Sequence, residues 1–173
     1  MIFTSESGLT DPSRIAEWDE WYRGHLAAMV AVPEITSAQR FRALDEGVPP
    51  SLAMYTVASL AVFESDIYLR TRGMGPFVSV VNEALHRRNL FDGLGKAPEL
   101  PIDGILLLAD RAIPGPAAPR LTWLRAIGLD CSISHRGIAM FPDLSAARRM
   151  AEEIGGGALY TAVTERFIPT RKD

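Results

Sequence analysis

The sequence of 173 residues contains few of the side chains that form disulfides and metal sites. It has one cysteine, Cys131, and three histidines. A single cysteine excludes an intramolecular disulfide and a thiolate-rich metal site. The histidines show none of the H-x-H, H-x-x-E-H or H-E-x-x-H spacings that are typical of zinc enzymes. We therefore expect no metal site in this protein.

The chain also lacks a basic excess and a long apolar run. Its net charge is −3 at pH 7, whereas a nucleic-acid-binding surface requires clear positive charge. No apolar run reaches the roughly 20 residues that span a bilayer. The opening residues, MIFTSESGLT, do not form a basic segment followed by an apolar core. We expect a cytoplasmic protein without a signal peptide that binds neither nucleic acid nor membranes.

Several catalytic motifs are missing as well. There is no G-x-S-x-G, so no nucleophile elbow is predicted. The glycine run at 155–157 follows a predicted helix instead of opening one, which argues against a phosphate-binding loop. Glu152 and Glu153 are adjacent and cannot converge on one glycosidic bond, so a glycosidase pair is excluded.

A long amphipathic helix is predicted over residues 11–31 (DPSRIAEWDEWYRGHLAAMVA). Asp11 can cap its first turn, and Pro12 suits the first helical position. At about 100° per residue, one face carries a row of large side chains, namely Ile15, Trp18, Tyr22, Leu26 and Met29. His25 lies on the shoulder of that face, beside Trp18 and Trp21. The helix therefore places an imidazole, a phenol and two indoles at the border of core and solvent.

Two interpretations of this aromatic face are open. The aromatic rings can be core residues with His25 as a structural histidine at the boundary. Alternatively, the face is one wall of a pocket that contains a titratable group.

The first half of the chain shows an α+β pattern around this helix. Strands are predicted at 1–7, 35–44, 51–57 and 86–91. In the third strand, Leu52, Met54 and Thr56 alternate with Ala53, Tyr55 and Val57. Ser59 is predicted to cap a short helix to about residue 70 that turns Leu60, Phe63 and Ile67 inward. Residues 77–85 fit a helix or a strand.

The second half follows a linker at 93–101 (GLGKAPELP). We predict a buried strand at 104–110, a rigid loop at 114–119, a short helix or turn at 120–127, and a strand at 130–141 with a turn near His135–Gly137. A helix at 143–154 and a final strand at 158–168 complete the pattern, and residues 170–173 form a polar tail.

The two halves share the element order β-α-β-β-α-β, with a reduced first helix in the second copy. AMY at 53–55 and AMF at 139–141 each precede a predicted helix. A small antiparallel sheet with helices on one face must bury its other face, and a second copy can do so. We therefore predict two ferredoxin-like halves, 1–92 and a degenerate 102–170, that together form an α/β barrel.

The first 92 residues resemble the dimeric α/β-barrel superfamily. The resemblance rests on EWDEWYRGHL, a following proline, a strand with RFR, and SLAMYTV before a short helix. It is closest to the small EthD-like proteins, which have an aromatic–Tyr–x–x–His pattern that falls here on Trp21, Tyr22 and His25. The resemblance implies a pocket between sheet and helices, a barrel that usually closes across a homodimer, and relatives that include cofactor-free monooxygenases, isomerases and cyclases.

The candidate site residues come mainly from the helix and the sheet. His25 is the candidate acid/base, because imidazole titrates near neutrality. Tyr22 or Tyr55 can hold a substrate oxygen, and Arg40 can bind a carboxylate or enolate. Trp18, Trp21 and Met29 can pack against a ring. Asn82 and His86 share a face if their segment is helical, whereas His135 is expected to face solvent.

Two functions remain open at this point. One is a cofactor-free enzyme that moves a proton on a small hydrophobic, aromatic or polyketide-like compound, by lyase, isomerase, cyclase or oxygenase chemistry. The other is a non-catalytic binding or accessory protein with the same fold. We expect no cofactor, although a haem-like or flavin ligand in the pocket is not distinguished by these residues. The residues leave open whether the barrel closes within one chain, which allows a monomer, or between two chains. We expect a homodimer, because exposed edge strands favour pairing.

Overall fold

The computed structural model describes residues 1–111 and 121–170. The loop predicted at 114–119 and the end of the predicted tail lie outside these ranges. Within the described residues the chain forms eight strands and three α-helices, which are β1 (Ile2–Ser7), α1 (Ile15–Val30), β2 (Ile35–Ala43), β3 (Ser51–Val57), α2 (Asp66–Thr71), β4 (Arg87–Asp92), β5 (Ile105–Arg111), β6 (Thr122–Leu129), β7 (His135–Phe141), α3 (Leu144–Glu153) and β8 (Ala158–Ala162). None of these helices has the length and apolar character needed to cross a bilayer.

The strands form one closed antiparallel barrel in the order β1-β3-β2-β8-β5-β7-β6-β4. The first half contributes β4-β1-β3-β2, and the second contributes β8-β5-β7-β6 in the equivalent order. Pairs β2–β8 and β4–β6 join the halves. The predicted α+β fold with tandem ferredoxin-like halves is thus confirmed, and the barrel closes within one chain. Since each described strand has two neighbours, free edges no longer support the predicted homodimer, which stays a prediction.

Alternation along the strands divides the core into a barrel lumen and two outer layers. The lumen, the interior of the closed barrel, is filled by side chains that include Ile2, Phe41, Leu52, Met54, Phe91, Leu106, Leu124 and Tyr160. On the outer face of the first half, Phe3, Tyr55 and Val57 pack against α1. On the outer face of the second half, α3 covers β5 and β8. The predicted alternation of β3 is confirmed.

Helix α1 begins much as its sequence indicates. Asp11 accepts a hydrogen bond from the Ser13 amide at 3.0 Å and starts a 3₁₀ helix, Pro12–Arg14, that leads into α1. Four of the five residues predicted to face the core are buried. Ile15, the first residue of α1, is 43% exposed.

The prediction of one continuous helix after β3, with Leu60, Phe63 and Ile67 facing inward, is wrong. A 3₁₀ helix, Leu60–Glu64, ends at Ser65, whose extended backbone (φ −70°, ψ 139°) separates it from α2. The break rotates α2 relative to the 3₁₀ helix, so Leu60 and Ile67 are exposed while Tyr68 is buried. Ser59 caps the 3₁₀ helix, as predicted for the start of this segment.

Residues 77–85, predicted to be a helix or a strand, form neither a strand nor one continuous helix. They make two short 3₁₀ helices, Gly75–Val80 and Glu83–Leu85. Asn82 caps the second by accepting a hydrogen bond from the Ala84 amide at 3.1 Å. Asn82 and His86 therefore do not share a helix face.

Two predictions for the second half are also wrong. Residues 122–127, predicted to be part of a short helix or turn, belong to β6. Most residues of this strand are half-buried, so burial does not alternate along it. The turn predicted near His135 lies instead between β6 and β7, and His135 begins β7. Leu129 and Cys131 make that turn with left-handed φ values of 63° and 46°, a conformation that their residue types do not signal.

A buried ion cluster crosses the barrel lumen and ties the halves together. Arg136 on β7 approaches Glu6 of β1 at 2.6 Å and binds both carboxylate oxygens of Asp110 on β5 at 2.7 and 2.8 Å. Arg136 is 1% exposed and Glu6 is 2% exposed. Burial acts to lower the pKa of Arg136, but the two carboxylates hold it above its usual value. Arg136 therefore keeps its charge, and it does so because of the two carboxylates that it contacts.

Removing Arg136 should destabilise the barrel more than removing a surface arginine. Arg136→Met leaves Glu6 buried without its cation, and we expect a loss of about 3 kcal/mol or more in the free energy of unfolding. The control is Arg148→Met, since Arg148 pairs with Asp45 at the surface and is 47% exposed, and its loss should stay within about 1 kcal/mol. Urea unfolding measures both. The double variant Glu6→Gln/Arg136→Met should be more stable than Arg136→Met alone. Equal losses of stability in Arg136→Met and Arg148→Met would contradict the role of the cluster.

Candidate functional site

A cleft of about 750 Å³ lies between the outer face of the first half's sheet and its helices. This volume is in the range of pockets that bind small molecules. We call it the N-terminal cleft. Its polar lining consists of Ser5, Tyr22, His25, Tyr55, Tyr68, Arg72, Glu83, His86, Arg88 and Asp130, and the remaining lining of Phe3, Met29, Leu69, Gly73, Met74, Val78 and Val81. The predicted pocket between sheet and helices is therefore present in the structure.

Two buried phenols form the inner end of the N-terminal cleft. Tyr22 comes from α1 and Tyr55 from β3, where its ring stacks on Phe3 with centroids 5.1 Å apart. Burial raises the pKa of Tyr22, and the Arg40 charge and neighbouring hydroxyl groups offset part of that rise. Burial and the proximity of Tyr22 raise the pKa of Tyr55 well above its usual value. Both phenols therefore stay protonated at neutral pH. The Tyr55 hydroxyl donates a hydrogen bond to the Tyr22 hydroxyl, which leaves the Tyr22 proton for a ligand oxygen.

His25 lines the same cleft, one helical turn after Tyr22. Its imidazole stacks on Trp21 at 4.8 Å and meets the Tyr22 ring edge-on at 5.6 Å. Burial lowers the pKa of His25 to about 4, and no charged neighbour opposes this effect. The expectation that His25 titrates near neutrality is thus corrected: the imidazole is neutral at pH 7 and accepts a proton more readily than it donates one.

Arg40 supports the cleft from behind and is not among its lining residues. Its guanidinium lies over the Tyr22 ring at 4.3 Å and over the Trp18 ring at 4.8 Å. Asp19 forms an ion pair with it through a 2.7 Å contact and also binds Arg42. Arg40 therefore does not contact the cleft itself, but its charge lowers the pKa of Tyr22.

Trp18, Trp21 and Asn82 also lie outside the lining. Trp18 is 2% exposed, and its indole N–H has no hydrogen-bond partner among the described residues. Trp21 is positioned by Gly75, which has a φ of 47° and whose missing Cβ would come within 2.9 Å of the indole nitrogen. A side chain at this position would displace the ring that stacks on His25. The glycine is therefore a positional requirement of the site.

Of the other predicted residues, Met29 and His86 do line the N-terminal cleft. The Nδ1 atom of His86 is buried without a hydrogen-bond partner among the described residues. Such an atom is available to a ligand, since buried polar atoms are rarely left unpaired.

The sequence patterns did not indicate Tyr68, Arg72, Arg88 or Asp130 as parts of the site. The break at Ser65 hides the inward position of Tyr68 from helical spacing. Asp130 belongs to the second half and reaches the cleft only because β6 pairs with β4. There its Oδ2 accepts a hydrogen bond from the Arg88 amide at 2.7 Å. The cleft therefore includes a side chain from each half.

No metal centre is evident in the part of the chain that the structure describes. Within 1–111 and 121–170, no three histidine, cysteine, aspartate or glutamate side chains are grouped so that they could hold an ion. The polar side chains that line the N-terminal cleft are imidazoles, phenols, guanidinium groups, a serine hydroxyl and two carboxylates.

The fold is similar to that of a candidate chlorite dismutase of known crystal structure. The two superpose with a TM-score of 0.58 at 10% sequence identity, over 94% of this chain and 95% of that chain. No family model and no curated protein matches this sequence. At this identity the likeness shows the fold alone, which is compatible with the α/β-barrel superfamily. The closer resemblance to EthD-like proteins stays a prediction.

The low pKa of His25 should make stability depend on pH. Between about pH 6.5 and 4 the unfolded chain binds a proton at His25 that the folded chain does not, so stability falls as pH falls. From pH 7 to pH 5 we expect His25 to contribute a loss of up to about 2 kcal/mol, measured as the difference in urea unfolding between wild type and His25→Gln. The imidazole C2 proton of His25 should titrate near 4 in an NMR titration. A midpoint near 6.5 would contradict the burial argument.

Proposed function

We propose that the N-terminal cleft binds a small hydrophobic compound, aromatic or polyketide-like, and that His25 accepts a proton from it without a cofactor. The observation that carries this proposal is the convergence of a neutral imidazole and two protonated phenols in one cleft of about 750 Å³. A proton acceptor beside hydrogen-bond donors is the arrangement that enolisation of a carbonyl compound requires.

The low basicity of His25 narrows the substrate class. An imidazole with a pKa of about 4 removes an acidic proton far more readily than a weakly acidic one, because proton transfer follows the difference in pKa. Phenols and carbons between two activating groups, such as two carbonyls or a carbonyl and an aryl ring, have such protons. The imidazolium that forms is stabilised by the negative charge that develops on the substrate oxygen.

Tyr22 supplies the donor for that oxygen, and Tyr55 supports it by donating a hydrogen bond to the Tyr22 hydroxyl. Their raised pKa values keep the hydroxyl protons in place, so the phenols stabilise an enolate or phenolate by hydrogen bonds rather than by transferring a proton. The nearby Arg40 charge strengthens the donor at Tyr22. In an isomerisation His25 then returns the same proton to another carbon of the substrate, so the reaction needs no further reactant.

The apolar lining fits the body of such a compound. Phe3 and Met29 flank the phenols, and Leu69, Met74 and Val78 line the side formed by α2 and the following 3₁₀ helix. Deprotonation is the common first step of the lyase, isomerase, cyclase and cofactor-free oxygenase reactions. We therefore propose deprotonation as the first step, and the identity of the substrate determines the later steps.

A second candidate function is a non-catalytic binding protein with the same cleft. The observation that favours it is the absence of a charged partner for His25 among the groups that shift its pKa. Many catalytic histidines are oriented and made more basic by a carboxylate. Under this alternative His25, Tyr22 and Tyr55 only hydrogen-bond the ligand.

Hydrogen exchange of a bound ketone distinguishes the two functions. In D₂O, wild-type protein should accelerate deuterium incorporation into the α-carbon of 2-tetralone, an aromatic ketone, as followed by ¹H NMR. His25→Gln should reduce the protein-dependent rate by about 100-fold or more, because it removes the proton acceptor. Tyr55→Phe should reduce it by about tenfold or more, since the hydrogen bond that strengthens the Tyr22 donor is lost.

The control for losing a histidine is His135→Gln, because His135 lies on β7 outside the cleft lining. This variant should keep the wild-type exchange rate. If 2-tetralone raises the thermal midpoint of wild type and His25→Gln equally and neither accelerates exchange, the cleft is a binding site and the enzymatic proposal is refuted.

A further inference from the structure

The outer end of the N-terminal cleft contains two guanidinium groups beside a buried phenol. We infer that this end, which we call the cleft mouth and define by Tyr68, Arg72 and Arg88, is a subsite for a carboxylate of the ligand. The ligand would then be an aromatic or polyketide-like acid, with its apolar body toward Tyr22 and Tyr55. The inference rests on the proposed function only in calling this ligand a substrate.

Arg88 is held in place largely through its backbone. Its amide donates to Asp130 Oδ2 at 2.7 Å, whereas its side-chain Nη2 is 3.4 Å from Asp130 Oδ1. A guanidinium carries five N–H donors, and the contacts with Asp130 and with the Tyr68 hydroxyl leave others available. The side chain is 30% exposed and lines the cleft. Arg88 is thus a positioned cation with unused donors facing the cleft.

Arg72 supplies the second cation. It follows α2 directly, lines the cleft and is exposed. Across residues 1–111 and 121–170, Arg72 forms no ion pair with a carboxylate. Arg14, Arg40, Arg42 and Arg136, in contrast, each contact an acidic side chain. An unpaired arginine beside an apolar cleft can bind a carboxylate through two parallel hydrogen bonds.

Tyr68 shows where the positive charge is concentrated. Burial raises its pKa, while the charges of Arg88 and Arg72, and a hydrogen bond with Arg88, lower it. Glu83 and Asp130 also line the cleft. The two arginines are the charges that lower the pKa of Tyr68, and its hydroxyl can be a third donor to the same anion.

This arrangement would bind an elongated ligand in a single orientation. A carboxylate at the cleft mouth directs the remainder of an elongated aromatic acid toward the inner phenols and His25. Fixing one end of the ligand converts part of its binding energy into orientation at the reacting end.

The test compares 2-naphthoate with its neutral analogue 2-naphthamide by titration calorimetry at low salt. Wild type should bind the naphthoate about tenfold more tightly, as expected for charge-assisted hydrogen bonds. Arg72→Gln should weaken naphthoate binding about tenfold and leave naphthamide binding unchanged. The matched control is Arg70→Gln, an exposed arginine of α2 outside the cleft lining, which should leave both affinities unchanged. High salt should reduce the preference for naphthoate in wild type.

Three results would overturn the inference: equal affinity of wild type for the two probes, equal effects of Arg72→Gln and Arg70→Gln, or no binding of either probe. Because both arginines are exposed, neither variant should disturb folding, which circular dichroism checks. Selective naphthoate binding without exchange of 2-tetralone would refute the proposed proton transfer while supporting the subsite. Exchange without selectivity would refute the subsite alone.

Discussion

Two antiparallel strand pairs, β2 with β8 and β4 with β6, hold this structure together. Each half on its own is a four-stranded sheet with one helix-covered face, one bare apolar face and two unpaired edges. Joining the halves at both edges buries the bare faces as the barrel lumen and satisfies the edge hydrogen bonds at once. The N-terminal cleft depends on this closure, because the β4–β6 pair carries Asp130 of the second half to Arg88 of the first.

Burial has opposite consequences in the lumen and in the cleft. In the lumen, Arg136 keeps its charge because Glu6 and Asp110 lie within hydrogen-bond distance. In the cleft, His25 has aromatic neighbours and no carboxylate among the groups that shift its pKa, so the same loss of solvent makes the neutral imidazole the stable form. The presence or absence of a counter-charge, rather than burial itself, decides whether a buried group is ionised.

The proposed chemistry follows from how the two outer faces of the barrel differ. Helix α3 packs closely on the second half with small and aliphatic side chains such as Ala147 and Met150. Helix α1 instead presents Tyr22 and His25, and the broken segment around α2 does not close the space in front of them. A shared barrel therefore carries no activity by itself, and a likeness at 10% identity extends to the architecture only.

The sequence alone determined the α+β class, the strand order of the first half, the inward face of α1 and the alternation of β3, since helical and strand periodicities are local properties. It also indicated that Tyr22, His25 and Tyr55 belong to one pocket. Only the tertiary structure decided that Tyr68 faces inward after the break at Ser65, that β6 is a strand, and that Asp130 meets Arg88. The charge state of His25 likewise depended on the tertiary structure. These features depend on solvent exclusion and on contacts between residues far apart in the chain, which no local pattern records.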